Sequence, residues 1–195
     1  NQLWYKEQQR TFEASARKHG FNKVSKLKLA VVHKIRDYTA SGGFLFAMCS
    51  ATDTYDIALA AEKTDICEQM FDGDPAATTA QQDLDYTKTF AFENFKLERS
   101  PYVYEYSSID NQPRTRGLTE NNDYFDLFIF SAKWDPIPCM LTQNHNQSIK
   151  GFMGQTTGFK KSVIKSDVTI LGENSSISEA KYIHGIYGKG FWSFY

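Results

Sequence analysis

One of the three cysteines lies where an α/β protein can use a thiol for chemistry. Cys49 directly follows residues 44–48, a continuous apolar run preceded by glycines, which predicts a buried central strand of a parallel sheet. Residues 53–61 then have the pattern of a helix. A cysteine at such a strand-to-helix turn lies at the carboxyl edge of the sheet, where open α/β folds bind ligands. The positive dipole end of the helix stabilises a thiolate at that position.

Cys49 is therefore a candidate nucleophile for an amide or ester carbonyl, with a thioester as the intermediate. The backbone N–H groups of Ser50 and Ala51 are the candidate donors to the oxyanion. The alternative is that Cys49 fills the core, because a free cysteine is among the most buried residue types. Exposure separates the two hypotheses, since a reactive thiol must be accessible.

A nucleophilic cysteine needs a base, and the chain offers four histidines. His19 and His33 belong to polar N-terminal segments and are expected at the surface. His145 lies in an amide-rich loop, and His184 lies on a predicted strand. None of the four is part of a catalytic motif, so we expect each to be structural and assemble no triad within the chain.

The order helix, strand, turn, helix predicts an α/β fold with a wound, mostly parallel sheet flanked by helices, in a single domain over residues 1–195. Helices are predicted over 3–18 and 25–40, with Ser25 as N-cap of the second, and Thr52 or Asp53 should cap the third. The predicted strands are 90–97, 103–106, 124–130, 167–171, 180–186 and 191–195, with a tight turn at 187–190 and an extended segment at 134–138. The chain starts at Asn1 rather than Met and stops within a predicted strand at Tyr195. We therefore expect it to be truncated at both ends.

Composition excludes several classes of function. The chain has 22 basic and 23 acidic residues and a net charge of −1, so it lacks the basic field that holds nucleic acid. No apolar run reaches the roughly 18 residues that a membrane span needs. Cys49, Cys67 and Cys139 form neither a disulfide framework nor a zinc motif, and we expect no metal ion and no cofactor.

Two further patterns carry alternatives. Aromatic residues make up 15% of the chain, which predicts a well-filled core and, as the alternative, a platform for an aromatic or sugar ligand. The acidic run at Asp65, Glu68, Asp72 and Asp74 lacks the spacing of an EF-hand, which favours a solvated loop over a calcium site.

Segments 42–60 and 180–194, together with 70–74 and 150–157, resemble a family of Bacteroidota proteins labelled "asparagine synthetase B". That family belongs to the class I glutamine amidotransferase-like superfamily, and the turn at 187–190 also resembles ThuA-like domains. The resemblance implies the wound α/β fold, export to the periplasm or cell envelope, and a histidine-containing segment after Tyr195. Asparagine synthesis itself is not expected, because the chain has no N-terminal cysteine and Leu45 and Phe46 replace the Asp and Ser of the S-G-G-x-D-S loop.

The sequence thus supports two functional hypotheses. The first is a non-catalytic binding or structural module of an exported protein, with a loop-rich, aromatic face at the carboxyl edge of the sheet. Its partner would be a small molecule, a carbohydrate or another envelope protein. The alternative is a glutaminase-like hydrolase that uses Cys49, with a base supplied after Tyr195.

Overall fold

The computed structural model describes residues 3–100, 102–111, 117, 119, 121–127, 147–151 and 153–195. Its helices are α1 Leu3–Lys18, α2 Val24–Ala40, α3 Ala51–Ala60 and the single turn α4 Gln69–Asp72. Its strands are β1 Phe44–Ala47, β2 Tyr124–Leu127, β3 Ser148–Lys150, β4 Phe159–Lys160, β5 Thr169–Asn174, β6 Glu179–Tyr187 and β7 Gly190–Phe194. None of these helices combines the length and the apolar character that crossing a bilayer requires.

The seven strands form one sheet in the order β1-β7-β6-β5-β2-β3, with β4 paired to the start of β6. The mixed α/β class is confirmed. We expected a mostly parallel sheet, but the described strands pair mostly antiparallel. Among them, only β1 and β7 run parallel to each other. Short connections join β5 to β6 and β6 to β7, and a short connection permits only an antiparallel neighbour.

The larger core lies between one face of the sheet and helices α2 and α3. Leu45, Trp192 and Gly185 lie side by side across β1, β7 and β6 on this face. A Cβ at Gly185 would come within 2.4 Å of the Trp192 ring, so glycine leaves room for the buried indole. The other fully buried side chains of this core include Leu59, Phe92, Phe95, Ile109, Phe159, Ile183 and Phe194.

The predicted turn between β6 and β7 is confirmed, and it docks on the end of α2. The backbone N–H of Lys189 donates to the carbonyl of Ala40 at 2.9 Å. A Cβ at Gly190 would lie 2.1 Å from the carbonyl oxygen of Thr39, so the close approach requires glycine. This contact fixes β7 against α2 and, through the parallel pairing, positions the end of β1.

Several predicted boundaries are wrong for identifiable reasons. Helix α2 begins after Lys23, which is the N-cap in extended conformation, and Ser25 lies inside the helix. The side chain of Lys23 pairs with Asp65 and Asp72, which are distant along the chain, so its contacts could not be read from the local pattern. Helix α3 has Ser50 as its N-cap, without a side-chain capping bond, so neither Thr52 nor Asp53 takes that position.

The predicted strands 90–97 and 103–106 are also wrong, since both segments are irregular apart from isolated bridges at Phe92 and Leu97. In the first segment the carboxylate of Asp56 accepts the backbone N–H groups of Phe90, Ala91 and Phe92 at 2.7–2.9 Å. A side chain of α3 thus replaces the neighbouring strand that the apolar pattern predicted. The predicted strand 124–130 begins as β2, and its last three residues, like segment 134–138, lie outside the described residues.

Candidate functional site

Cys49 lies at the predicted turn and has an unusual backbone conformation. The residue is exposed, and its φ of +53° lies in the left-handed region that favours glycine. Its backbone N–H donates to the carbonyl of Tyr195 at 3.2 Å, directly beyond β7. An exposed thiol is what a nucleophile requires and what a core-filling cysteine lacks, and strained residues of this kind cluster at functional sites.

The two candidate oxyanion donors differ. The Ala51 N–H donates to the carbonyl of Met48 at 3.2 Å and is engaged within the turn. The Ser50 N–H has no acceptor among the described residues. If the turn holds an oxyanion, Ser50 is therefore the donor that is ready to bind it.

None of the histidines in the described residues makes a hydrogen bond or ion pair with Cys49. His19 is exposed, and His33 Nε2 lies 3.3 Å from Glu62 Oε2. His184 is buried with its Nδ1 3.2 Å from the Ser193 hydroxyl, and burial lowers its pKa. His145 and Cys139 lie outside the described residues. The thiol thus has no imidazole base in this part of the chain.

A buried polar group lies next to the turn instead. Asp53, in the first turn of α3, is fully buried, and only its Oδ1 has a hydrogen-bond partner, the Thr54 N–H at 2.8 Å. Burial raises the pKa of Asp53 to about 7; the nearby charge of Asp110 adds to this shift, and the Thr156 hydroxyl opposes it. Asp110 in turn accepts the Thr156 N–H at 2.7 Å.

The loop that carries Thr156 also reaches the thiol. A Cβ at Gly154 would lie 3.6 Å from Cys49 Sγ, so the loop passes close to the thiol. Thr156 has a φ of +55°, which is a strained conformation for a β-branched residue. The structure therefore brings together two strained residues and one buried, incompletely bonded carboxyl group. Sequence patterns indicated Cys49 but not Asp110 or Thr156, whose partners are distant along the chain.

A second candidate site is a groove of about 830 Å³ beside α3, within the size range of small-molecule sites. We call it the α3 groove. Its apolar surface comes from Leu29 of α2 and from Ile57, Ala58 and Ala61 of α3. Thr54 and Gln155 also line the groove. Thr54 lies four residues after Ser50 and Gln155 directly follows Gly154, so part of the groove is near the Cys49 turn.

The opposite wall of the α3 groove is the loop 97–106. The loop is closed by the Glu98 N–H, which donates to the Tyr106 carbonyl at 2.8 Å. Tyr102, Tyr104 and Tyr106 line the groove and are exposed, whereas Glu105 lines it and is only 7% exposed. This is the aromatic, loop-rich surface that the composition indicated, and it contains one inward-facing acid that no sequence pattern indicated.

The acidic run does not form an open metal site. Lys23 Nζ lies 3.4 Å from carboxylate oxygens of Asp65 and Asp72, and it also pairs with Asp74. Ligand atoms of Asp65, Cys67 and Asp72 lie within 4.8 Å of one another, but the lysine ammonium supplies the positive charge there. Burial and the two acids raise the pKa of the Cys67 thiol, which disfavours the thiolate that a metal would bind.

No family model, no curated protein and no solved structure matches this chain. The functional argument therefore rests on the geometry of the Cys49 turn and the α3 groove.

Proposed function

We propose that this domain is a ligand-binding module and that the α3 groove is its binding site. The observation that carries the proposal is the shape and lining of the groove: apolar residues of two helices face a loop that presents three tyrosines. Small-molecule sites have this composition, apolar and aromatic with a few polar groups that fix orientation. Membership of the glutamine amidotransferase-like superfamily and export to the cell envelope belong to the same proposal, and both are supported by the sequence resemblance.

The binding role is favoured over a purely structural role because the tyrosines face solvent. Tyr102 is 96% exposed and Tyr104 is 65% exposed. Side chains that served only to fill the core would be buried, whereas a tyrosine at a binding surface offers a large, rigid contact with a polar tip. A loop that carries three of them beside an apolar groove is therefore suited to bind a ligand.

The test is to fill the groove and measure binding of the neutral apolar dye Nile red. Ala58 lines the groove on α3, so Ala58→Trp places an indole in the space that a ligand would occupy. We expect dye fluorescence to rise with the wild-type protein and to lose most of this rise in the variant.

The matched control is Ala14→Trp, which adds the same side chain at an exposed position of α1 that does not line the groove. This variant should bind the dye like the wild type, and both variants should keep their thermal unfolding transitions. The proposal fails if the folded wild type does not bind the dye, or if Ala58→Trp binds it as strongly as the control does.

A second candidate function is the Cys49-dependent hydrolase, favoured by the exposed thiol at a left-handed turn. The Cys49 thiolate would attack the carbonyl carbon, while the Ser50 N–H would stabilise the oxyanion. The amine or alcohol would leave with the proton taken from the thiol, and water would then hydrolyse the thioester. The resemblance implies that the base that moves this proton is a histidine after Tyr195.

The rate of iodoacetamide labelling against pH tests this second function. A nucleophile predicts fast labelling that is lost in Cys49→Ser and persists well below pH 8, whereas Cys67→Ser and Cys139→Ser leave it unchanged. Because the resemblance places the proposed base after Tyr195, the same measurement on a protein extended beyond Tyr195 completes the test. Labelling of Cys49 only at alkaline pH in both proteins would exclude the nucleophile.

A further inference from the structure

The α3 groove contains a carboxylate without a countercharge, and this feature determines which ligand it can accept. We propose that the groove selects a ligand that carries a protonated amine on an apolar or aromatic body, with Glu105 as the anionic contact. This inference rests on the proposal that the groove is a binding site and is independent of any chemistry at Cys49.

Glu105 is the group that carries the argument. Its side chain lines the groove, the residue is 7% exposed, and it makes no hydrogen bond or ion pair with any described residue. Neither carboxylate oxygen of Glu105 is among the side-chain atoms that are buried without a partner, so water in the groove reaches both of them in the free protein. A ligand that fills the groove displaces this water, and a cationic ligand replaces it with an ion pair.

The other charged side chains of the groove have partners or face solvent. Arg99 Nε lies 3.2 Å from Glu68 Oε1, and Lys28 Nζ lies 5.7 Å from the centre of the Phe12 ring. Asp65 is paired with Lys23. Lys26 and Glu98 line the groove as well, but both are exposed, and Glu98 Oε1 accepts the Ser100 N–H at 2.8 Å.

The rest of the lining suits the body of such a ligand. Ile57, Ala58 and Ala61 offer an apolar surface, and the tyrosines of the loop 97–106 offer aromatic faces. Aromatic faces attract ammonium groups through their quadrupole, an attraction that adds to the charge of Glu105. A neutral ligand would leave the carboxylate desolvated, and an anionic ligand would be repelled by it.

Isothermal titration calorimetry with three probes of the same body tests the inference: phenethylamine, 2-phenylethanol and phenylacetate. We expect the amine to bind most tightly and phenylacetate to bind most weakly. Glu105→Gln keeps the shape of the side chain but removes its charge, and we expect it to weaken amine binding about tenfold or more while leaving the alcohol unchanged. Glu98→Gln, a neighbouring acid at the exposed rim of the same groove, should weaken amine binding far less than Glu105→Gln does. Glu7→Gln, at an exposed position of α1 that does not line the groove, should leave all three affinities unchanged.

Each outcome decides the matter. The inference is overturned if the wild type binds the alcohol as tightly as the amine, or if Glu105→Gln leaves amine affinity unchanged. If the amine affinity falls equally in Glu98→Gln and Glu105→Gln, the general acidity of the loop is responsible and Glu105 is not the specific contact. Absence of binding by all three probes, with Nile red still bound, overturns the ligand class alone; absence of both overturns the binding site itself.

Discussion

Asp56 and Glu105 are both more than nine-tenths buried, yet their surroundings differ completely. Asp56 accepts three backbone N–H groups at 2.7–2.9 Å and ties the irregular segment 90–92 to α3. Glu105 faces the α3 groove and has no partner among the described residues. A buried acid whose oxygens are bonded to the backbone belongs to the fold, whereas the oxygens of Glu105 still reach water and are available to the ligand that we propose. Asp53 lies between these cases, since one of its oxygens is bonded and the other is not.

Removing the carboxylate of Asp56 should have the largest effect on the free energy of unfolding. Asp56→Ala leaves three buried N–H groups without an acceptor, so we expect the free energy of unfolding to fall by about 4 kcal/mol. Urea denaturation at pH 7 measures it. Asp37→Ala, at an exposed position paired with Arg36, should change it by less than about 1 kcal/mol. A loss of under about 1 kcal/mol for Asp56→Ala would show that Asp56 does not organise segment 90–92.

Asp53, which has one carboxylate oxygen without a hydrogen-bond partner, should make the free energy of unfolding fall as the pH rises. The folded pKa of Asp53 is about 7, well above the roughly 3.9 of an unfolded aspartate, so the folded state binds the proton more tightly. Ionised Asp53 therefore destabilises the folded state. This destabilisation is absent below about pH 4, grows from about pH 4 to 7, and is complete above that range. The free energy of unfolding of Asp53→Asn should therefore exceed that of the wild type by up to about 4 kcal/mol at pH 8 and match it near pH 4.

Denaturation of both proteins at several pH values measures this difference. Burial also raises the pKa of Asp56, to about 6, so Asp53→Asn retains part of the pH dependence. Equal pH profiles for the two proteins would show that Asp53 stays ionised in the folded state and that its second oxygen has a partner in solution.

The acid of the groove should matter little to the stability of the free protein. Because water reaches the carboxylate oxygens of Glu105, we expect Glu105→Gln to change the free energy of unfolding by no more than about 1 kcal/mol. Glu98→Gln should leave stability unchanged within about 0.5 kcal/mol. If Glu105→Gln destabilises the free protein by more than this, the carboxylate contributes to the fold and resembles Asp56.

The strain at the thiol should give the smallest effect. Glycine adopts the φ of +53° at residue 49 without steric cost, so Cys49→Gly should stabilise the domain by roughly 0.5–1 kcal/mol. Cys49→Ala keeps the strained Cβ and should not. Thermal unfolding of the two variants measures the difference, and equal stability would show that the turn relaxes in solution.

The sequence predicted the parts of this fold that depend on local patterns. The structure confirms α1 over Leu3–Lys18 and the turn at 187–190. It also confirms a strand before Cys49, but β1 lies at the edge of the described sheet and is mostly half-buried, so its predicted central, buried position was wrong. The strands predicted at 90–97 and 103–106 were wrong because an apolar, aromatic run indicates burial and not the presence of a neighbouring strand. The mostly parallel sheet was inferred from the order helix, strand, turn, helix around β1, but among the described strands only β1 and β7 run parallel to each other.

The residues of the candidate sites also divide into those with a local sequence signal and those without one. Cys49 was identified because its signal, a strand followed at once by a helix, is local. Glu105, Asp53 and Thr156 were missed, because what distinguishes each is a contact to a distant residue or the absence of one. The Asp110 carboxylate and the Thr156 N–H are separated by 46 positions in the chain, and no sequence pattern indicates such a pair.

The most direct test of the account is a ¹H–¹⁵N NMR titration of the wild-type domain with phenethylamine. We predict that chemical shifts change in a saturable way at residues that line the α3 groove, including Ile57, Ala58, Leu97 and Glu105, and do not change at the 175–178 turn. Saturable changes at the groove would establish it as the ligand site of this domain. Changes centred elsewhere, or none at millimolar ligand, would contradict the account.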